Sequence, residues 1–151
     1  MTLDIPIHPL LVHFPIALLV TGFFVDLAGR ALKIDWLGKA ALLMLIAGAL
    51  FTIVATRTGS AEEDRILQTP AIHETLEEHE DGGKMTMWVF LGLAAARSVL
   101  TWRKKFGPAA GWVFLILWAA GLALLVETAH HGGQLVYLHG AGASAAPPSP
   151  E

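Results

Sequence analysis

The chain has 151 residues, of which 54% are apolar and 15% charged, with a net charge of −3 and no cysteine. That length fits one domain, and the composition is too oily for an ordinary soluble domain of this size. The lack of a basic block argues against nucleic acid as a partner, and the lack of cysteine excludes disulfides, thiolate metal sites, iron–sulfur clusters and covalently attached c-type haem.

Four apolar runs follow one another, each close to the roughly 20 residues that a helix needs to cross a bilayer core. The first covers residues 9–29 and opens "HPLLVHFPIALL". Its flank, "MTLDIPI", carries no Lys or Arg, and the run is long for a signal peptide, so it reads as a retained helix. Asp26, near its far end, reads as interfacial. The second run covers residues 36–56. An acidic segment from Thr58 to Gly83 comes next. Thr69 followed by Pro70 marks a helix start, which predicts an external amphipathic helix over about 70–82, either separate from the third span or continuous with it, with Gly82-Gly83 as a bend or hinge. The third run, 85–102, is interrupted by Arg97, and the fourth covers 109–131. Small residues in "LIAGAL", "FLGLAAA" and "WAAGLALL" read as close helix packing in a membrane. Residues 141–151, small and Pro-rich, read as a disordered tail. Because backbone groups in lipid must be satisfied within their own segment, residues 1–140 are expected to form an all-α, integral-membrane, antiparallel four-helix bundle.

The loops differ sharply in charge. One end of the bundle collects Arg30, Lys33, Lys39, Arg103, Lys104 and Lys105, while the other carries the acids Glu62, Glu63, Asp64, Glu74, Glu77, Glu78, Glu80 and Asp81. The positive-inside rule places the basic loops in the cytoplasm and both termini outside, periplasmic in a Gram-negative bacterium.

All seven histidines fall at the acidic end. Histidine suits metal or haem ligation and proton transfer near neutral pH, and an ionisable group beside a membrane span calls for a functional explanation. His8, His131 and His139, taken singly, read as interfacial hydrogen-bonding groups. "HETLEEH" is not a zinc-protease motif: its histidines, His73 and His79, are six apart, about 240° around a helix. No G-x-S-x-G nucleophile elbow occurs. A b-type haem fits better, held without cysteine by imidazoles on facing helices. His13 and His130 are the first choice of axial ligands and His79 the next. A second haem on His73 and His8 is left open. Gly59, Gly82, Gly83, Gly132 and Gly133 would allow close approach, and Arg57 and Lys84 would pair with the propionates. Glu127 would orient an imidazole or pair with Arg57, and Trp88, Phe14 and Phe51 would line the slot. The alternative is copper or zinc held by His8, His13, His73, His79 and His130, or a structural subunit whose histidines only pack.

Two terminal motifs, "HPLLVHFPIALL" (His8–Leu19) and "GGQLVYLHGAG" (Gly132–Gly142), resemble the hallmarks of a bacterial membrane family, domain-of-unknown-function 2231. "TRTGSA" and "HETLEEHE" resemble a subgroup of it. The resemblance covers nearly the whole chain and implies a four-helix inner-membrane protein, with His8, His13, His79, His130, Gly132 and Gly133 at matching positions. Similar domains are fused to c-type cytochromes, which implies electron transfer. The expectation is a small haem b membrane cytochrome, not an enzyme in its own right. Its partners would be the lipid bilayer and a periplasmic cytochrome or quinol, within a homo-oligomer or a larger membrane complex.

Overall fold

The computed structural model describes residues 7–62 and 70–141. It is helical throughout: α1 His8–Leu11, α2 His13–Leu32, α3 Asp35–Glu62, α4 Pro70–Trp102 and α5 Pro108–Tyr137, with no strand among the described residues. Four helical segments are long and apolar enough to cross a membrane, with α1 and α2 together forming the first. They run antiparallel, so α1, the C-terminus of α3, the N-terminus of α4 and the C-terminus of α5 share one end, called here the histidine end.

The break between α1 and α2 at Val12 has a local cause. Pro15 has no N–H to give to the carbonyl of Leu11, and its ring crowds that carbonyl. The chain turns tightly between α2 and α3, where Lys33 caps α2 in the left-handed conformation at φ 56°. Lys104 is also left-handed, at φ 54°, in the turn between α4 and α5.

Packing follows chain order. The α2/α3 and α4/α5 hairpins are each closely packed and join through α3 and α4, whereas α2 meets α5 only sparsely. The central core consists of Leu19, Leu45, Ala49, Phe90, Leu93, Ala94 and Trp118. Absent side chains let these fit: a Cβ on Gly48 would lie 2.7 Å from Leu19, and one on Gly22 would lie 3.1 Å from the Trp118 ring. In lipid, where apolar burial gives little drive between helices, such close approach is a main source of association. A smaller cluster of Ile72, Leu76 and Leu135 fastens the first turns of α4 to the end of α5. Leu43, Trp88, Ile116 and Val126 face outward, as lipid contact requires, and Trp36, Trp102 and Trp112 are exposed near the basic end, where tryptophan favours the headgroup interface.

The structure refines three expectations. The segment expected as an external helix is continuous with the third span in a single α4, helical through Gly82-Gly83, where Gly82 packs on Thr128 of α5. Helices α3 and α5 run about six residues past their expected ends, carrying helical structure up to Glu62 and Tyr137. Asp26, expected as interfacial, is enclosed by helices at the basic end of the bundle. It is 1% exposed and bonded to both Arg97 of α4 and Arg30. Residues 142–151, the bulk of the expected disordered tail, and the charged Glu63, Asp64 and Arg65 lie outside the described residues.

Candidate functional site: the histidine end

Two imidazole pairs meet at this end: the sequence neighbours His130 and His131, with ring centres 6.1 Å apart, and His8 with His79, which come from different helices. The ring centres of His8 and His79 are 6.1 Å apart and their planes stand at 80°. Nδ1 of His8 lies 2.9 Å from the Ala55 carbonyl of α3, and Nδ1 of His79 lies 2.8 Å from the Thr128 carbonyl of α5. A carbonyl only accepts, so each Nδ1 carries the proton and donates it. In the neutral ring that leaves the lone pair on Nε2. A backbone carbonyl holding the remote ring nitrogen is the support that metal-bound histidines have. Among the described residues neither Nε2 has a hydrogen-bond partner.

The sequence builds this pair with small residues and a cap. A Cβ on Gly59 would stand 3.1 Å from Cε1 of His8, and one on Gly132 would stand 2.8 Å from Cε1 of His79. Each ring therefore rests on the bare backbone of the neighbouring helix. Helix α1 has no cap of its own. Instead Oε1 of Glu62, at the end of α3, accepts from the backbone N–H groups of Ile7 at 2.6 Å and His8 at 3.2 Å. The Thr58 hydroxyl donates to the Val54 or Ala55 carbonyl, at 3.0 Å from each. Ser60 donates to Glu80 across α3 and α4 at 2.8 Å.

The other expected ligands have other surroundings. His13 is exposed on α2. His130 is exposed and lies 3.2 Å from the Gln134 amide of its own helix. His73 is exposed and faces Glu77 at 3.3 Å. His131 is half-buried, 3.7 Å from Glu78. Arg57 is exposed, Glu127 is exposed, and Lys84 pairs with Glu80 and Asp81. A Cβ on Gly133 would meet nothing within 4 Å. Phe14 and Phe51 stack on each other at 5.2 Å, and Trp88 faces outward. Among the described residues, no group of three or more His, Asp or Glu side chains is placed to hold a metal ion.

Sequence reasoning missed Glu62 as the cap of α1 and the two carbonyls that anchor the rings. A backbone carbonyl leaves no mark in a sequence. The glycine facing each ring does, and it lies four residues beyond the anchoring carbonyl in both cases: Ala55 with Gly59, Thr128 with Gly132.

A helical bundle with membrane-length segments and paired histidines at one end defines a four-helix membrane protein with a candidate ligand site. The family model "Predicted membrane protein (DUF2231)" matches residues 4–145, and the chain belongs to that family. No curated protein and no solved structure matches it.

Proposed function

We propose that this protein is a small membrane cytochrome that holds one b-type haem between His8 and His79, at the periplasmic face of a bacterial inner membrane. The observation that carries the reading is the paired imidazoles, each fixed through Nδ1 with Nε2 unclaimed. Nε2 of each ring would be the atom that holds the iron, and the two ring centres stand 6.1 Å apart on different helices.

The donor set favours haem over a bare ion. Structural zinc asks the protein for four ligands, and the described residues offer no group of three. A porphyrin brings four nitrogens and asks for two more. Copper or zinc on His8, His13, His73, His79 and His130 is therefore the weaker reading. When bound, the haem would supply one-electron transfer, with a periplasmic cytochrome or quinol as the exchange partner. The chain's own residues keep both rings in the Nε2-ligand tautomer, fix their orientation on Gly59 and Gly132, and leave Arg57 exposed at the same end for a propionate.

The test is an optical spectrum, oxidised and dithionite-reduced, of protein purified in detergent from haem-replete cells. A Soret band and sharp reduced α-band are expected in the wild type and in His13→Ala, and are expected to be lost in His8→Ala and His79→Ala. A colourless wild type sinks the reading. Loss in His13→Ala and His130→Ala with retention in His8→Ala would move the ligands back to the other pair.

A further inference from the structure

At the opposite end of the bundle, four elements converge on a buried charge cluster. Asp26 of α2 accepts from Arg30 Nε at 2.8 Å through one oxygen and from Arg97 Nη2 of α4 through the other. Arg97 Nη2 also donates to the Gly38 carbonyl of α3 at 3.1 Å. Both guanidinium groups lie over the ring of Phe106, at 5.3 Å for Arg30 and 5.0 Å for Arg97. The count is two cations to one anion. Arg97 is 2% exposed, and its Nη1 has no hydrogen-bond partner. Trp118, beside it on α5, is 1% exposed with Nε1 also unpartnered. Among the described residues Nη1 and Nη2 of Arg30 have no acceptor either. An unmatched buried cation with spare N–H groups is costly.

The position of these donors narrows what would satisfy them. The Arg30 guanidinium lies directly on the backbone of Gly111, in the space a Cβ there would fill. Gly111 is in the first turn of α5, whose N-cap, Gly107, makes no side-chain cap bond. Pro108 has no N–H and Gly111 gives its own to the Gly107 carbonyl at 3.0 Å, so the first-turn donors left over are the N–H groups of Ala109 and Ala110, at the positive end of the helix dipole. The place is the sparsely packed α2/α5 seam, at the end that carries exposed Lys33, Lys39, Arg103, Lys104 and Lys105.

We propose that this end of the α2/α5 seam binds a phosphate oxyanion, with Arg30 and the first turn of α5 as its direct donors and Arg97 supplying the uncompensated charge behind them. A guanidinium fork matches phosphate oxygens, and a basic pocket between spans is a known form of anionic-headgroup site. The phosphate would come from a phospholipid headgroup or from free phosphate in solution, and the two are separable.

The test uses full-length protein in detergent, with thermal unfolding midpoints and native mass spectra recorded for phosphatidylglycerol, phosphatidylcholine and inorganic phosphate. Retention of one phosphatidylglycerol per chain in preference to phosphatidylcholine, with a raised midpoint, supports the site with lipid as its source. The same rise with inorganic phosphate alone supports it with free phosphate as the source. Arg30→Gln and Gly111→Ala should each weaken retention about ten-fold, the size of one lost charge-assisted hydrogen bond. Lys39→Gln should leave it unchanged. Arg30→Lys keeps the charge without the fork and should fall between. The proposal is overturned if no phosphate species shifts the wild type. It is equally overturned if Gly111→Ala, shown helical and monodisperse, binds as the wild type does, since general surface charge would then explain any effect.

Discussion

Single atoms decide the candidate site. Gly132 and Gly59 differ in how closely their backbone meets an imidazole, at 2.8 Å and 3.1 Å from an added Cβ. Gly132→Ala must push the His79 ring off the Thr128 carbonyl, an overpacking cost of about 1–3 kcal/mol. Gly59→Ala asks His8 to give way by only a few tenths of an ångström. Gly132→Ala is therefore expected to abolish the haem spectrum while circular dichroism stays helical, and Gly59→Ala to keep the spectrum with a shifted band. Equal loss in both would mean that the two rings are not held as described. Why the pairing was not legible beforehand is also a residue-scale matter. His8 and His13 are five apart, about 140° around a helix, so one rotation cannot turn both inward. The sequence says that one of them faces the bundle. Choosing between them needs the rotation of the helix, which the break at Val12 resets.

At the scale of elements, α1 is four residues long and depends on α3 for its cap. A helix that short has no stability of its own. Glu62→Ala is expected to cost ~1 kcal/mol, the usual value of a lost N-cap. It should also speed amide hydrogen exchange at residues 8–12 without affecting the α2–α5 spans. Exchange rising evenly over the whole molecule would mean that Glu62 supports the bundle and not α1. The elements themselves were largely legible, because a run of some 20 apolar residues has few other uses. The continuity of α4 was left open by the sequence. Gly82-Gly83 lowers local helix propensity, and the contacts that override it, Gly82 on Thr128 and Leu76 near Leu135, are tertiary.

For the whole molecule, the charge asymmetry predicts an orientation. Both described termini lie at the histidine end, and seven basic residues, Arg97 among them, lie at the other. Because the chain has no cysteine, single cysteines at Ser60 and Lys105 report without background. A membrane-impermeant thiol reagent added to intact cells should label the first and spare the second; the reverse pattern would turn the bundle over. The histidine end was legible as a whole, since counting spans puts all seven histidines on one side. The buried ion cluster was not, because Asp26 and Arg97 are 71 residues apart and each alone looks like a residue near a membrane surface.

That separation bears on how the chain enters the bilayer. A charged side chain within a lone inserting helix is costly, most of all at its centre. Helix α2 is made first and brings its own counter-ion, since Arg30 lies one turn beyond Asp26 and neutralises it from within the same helix. Helix α4 has no such companion: its Arg97 finds an anion only on a helix synthesised much earlier. The carboxylate that α2 carries in as one half of an internal pair thus becomes the landing point for α4. The charges therefore predict an order of assembly in which the second hairpin depends on the first.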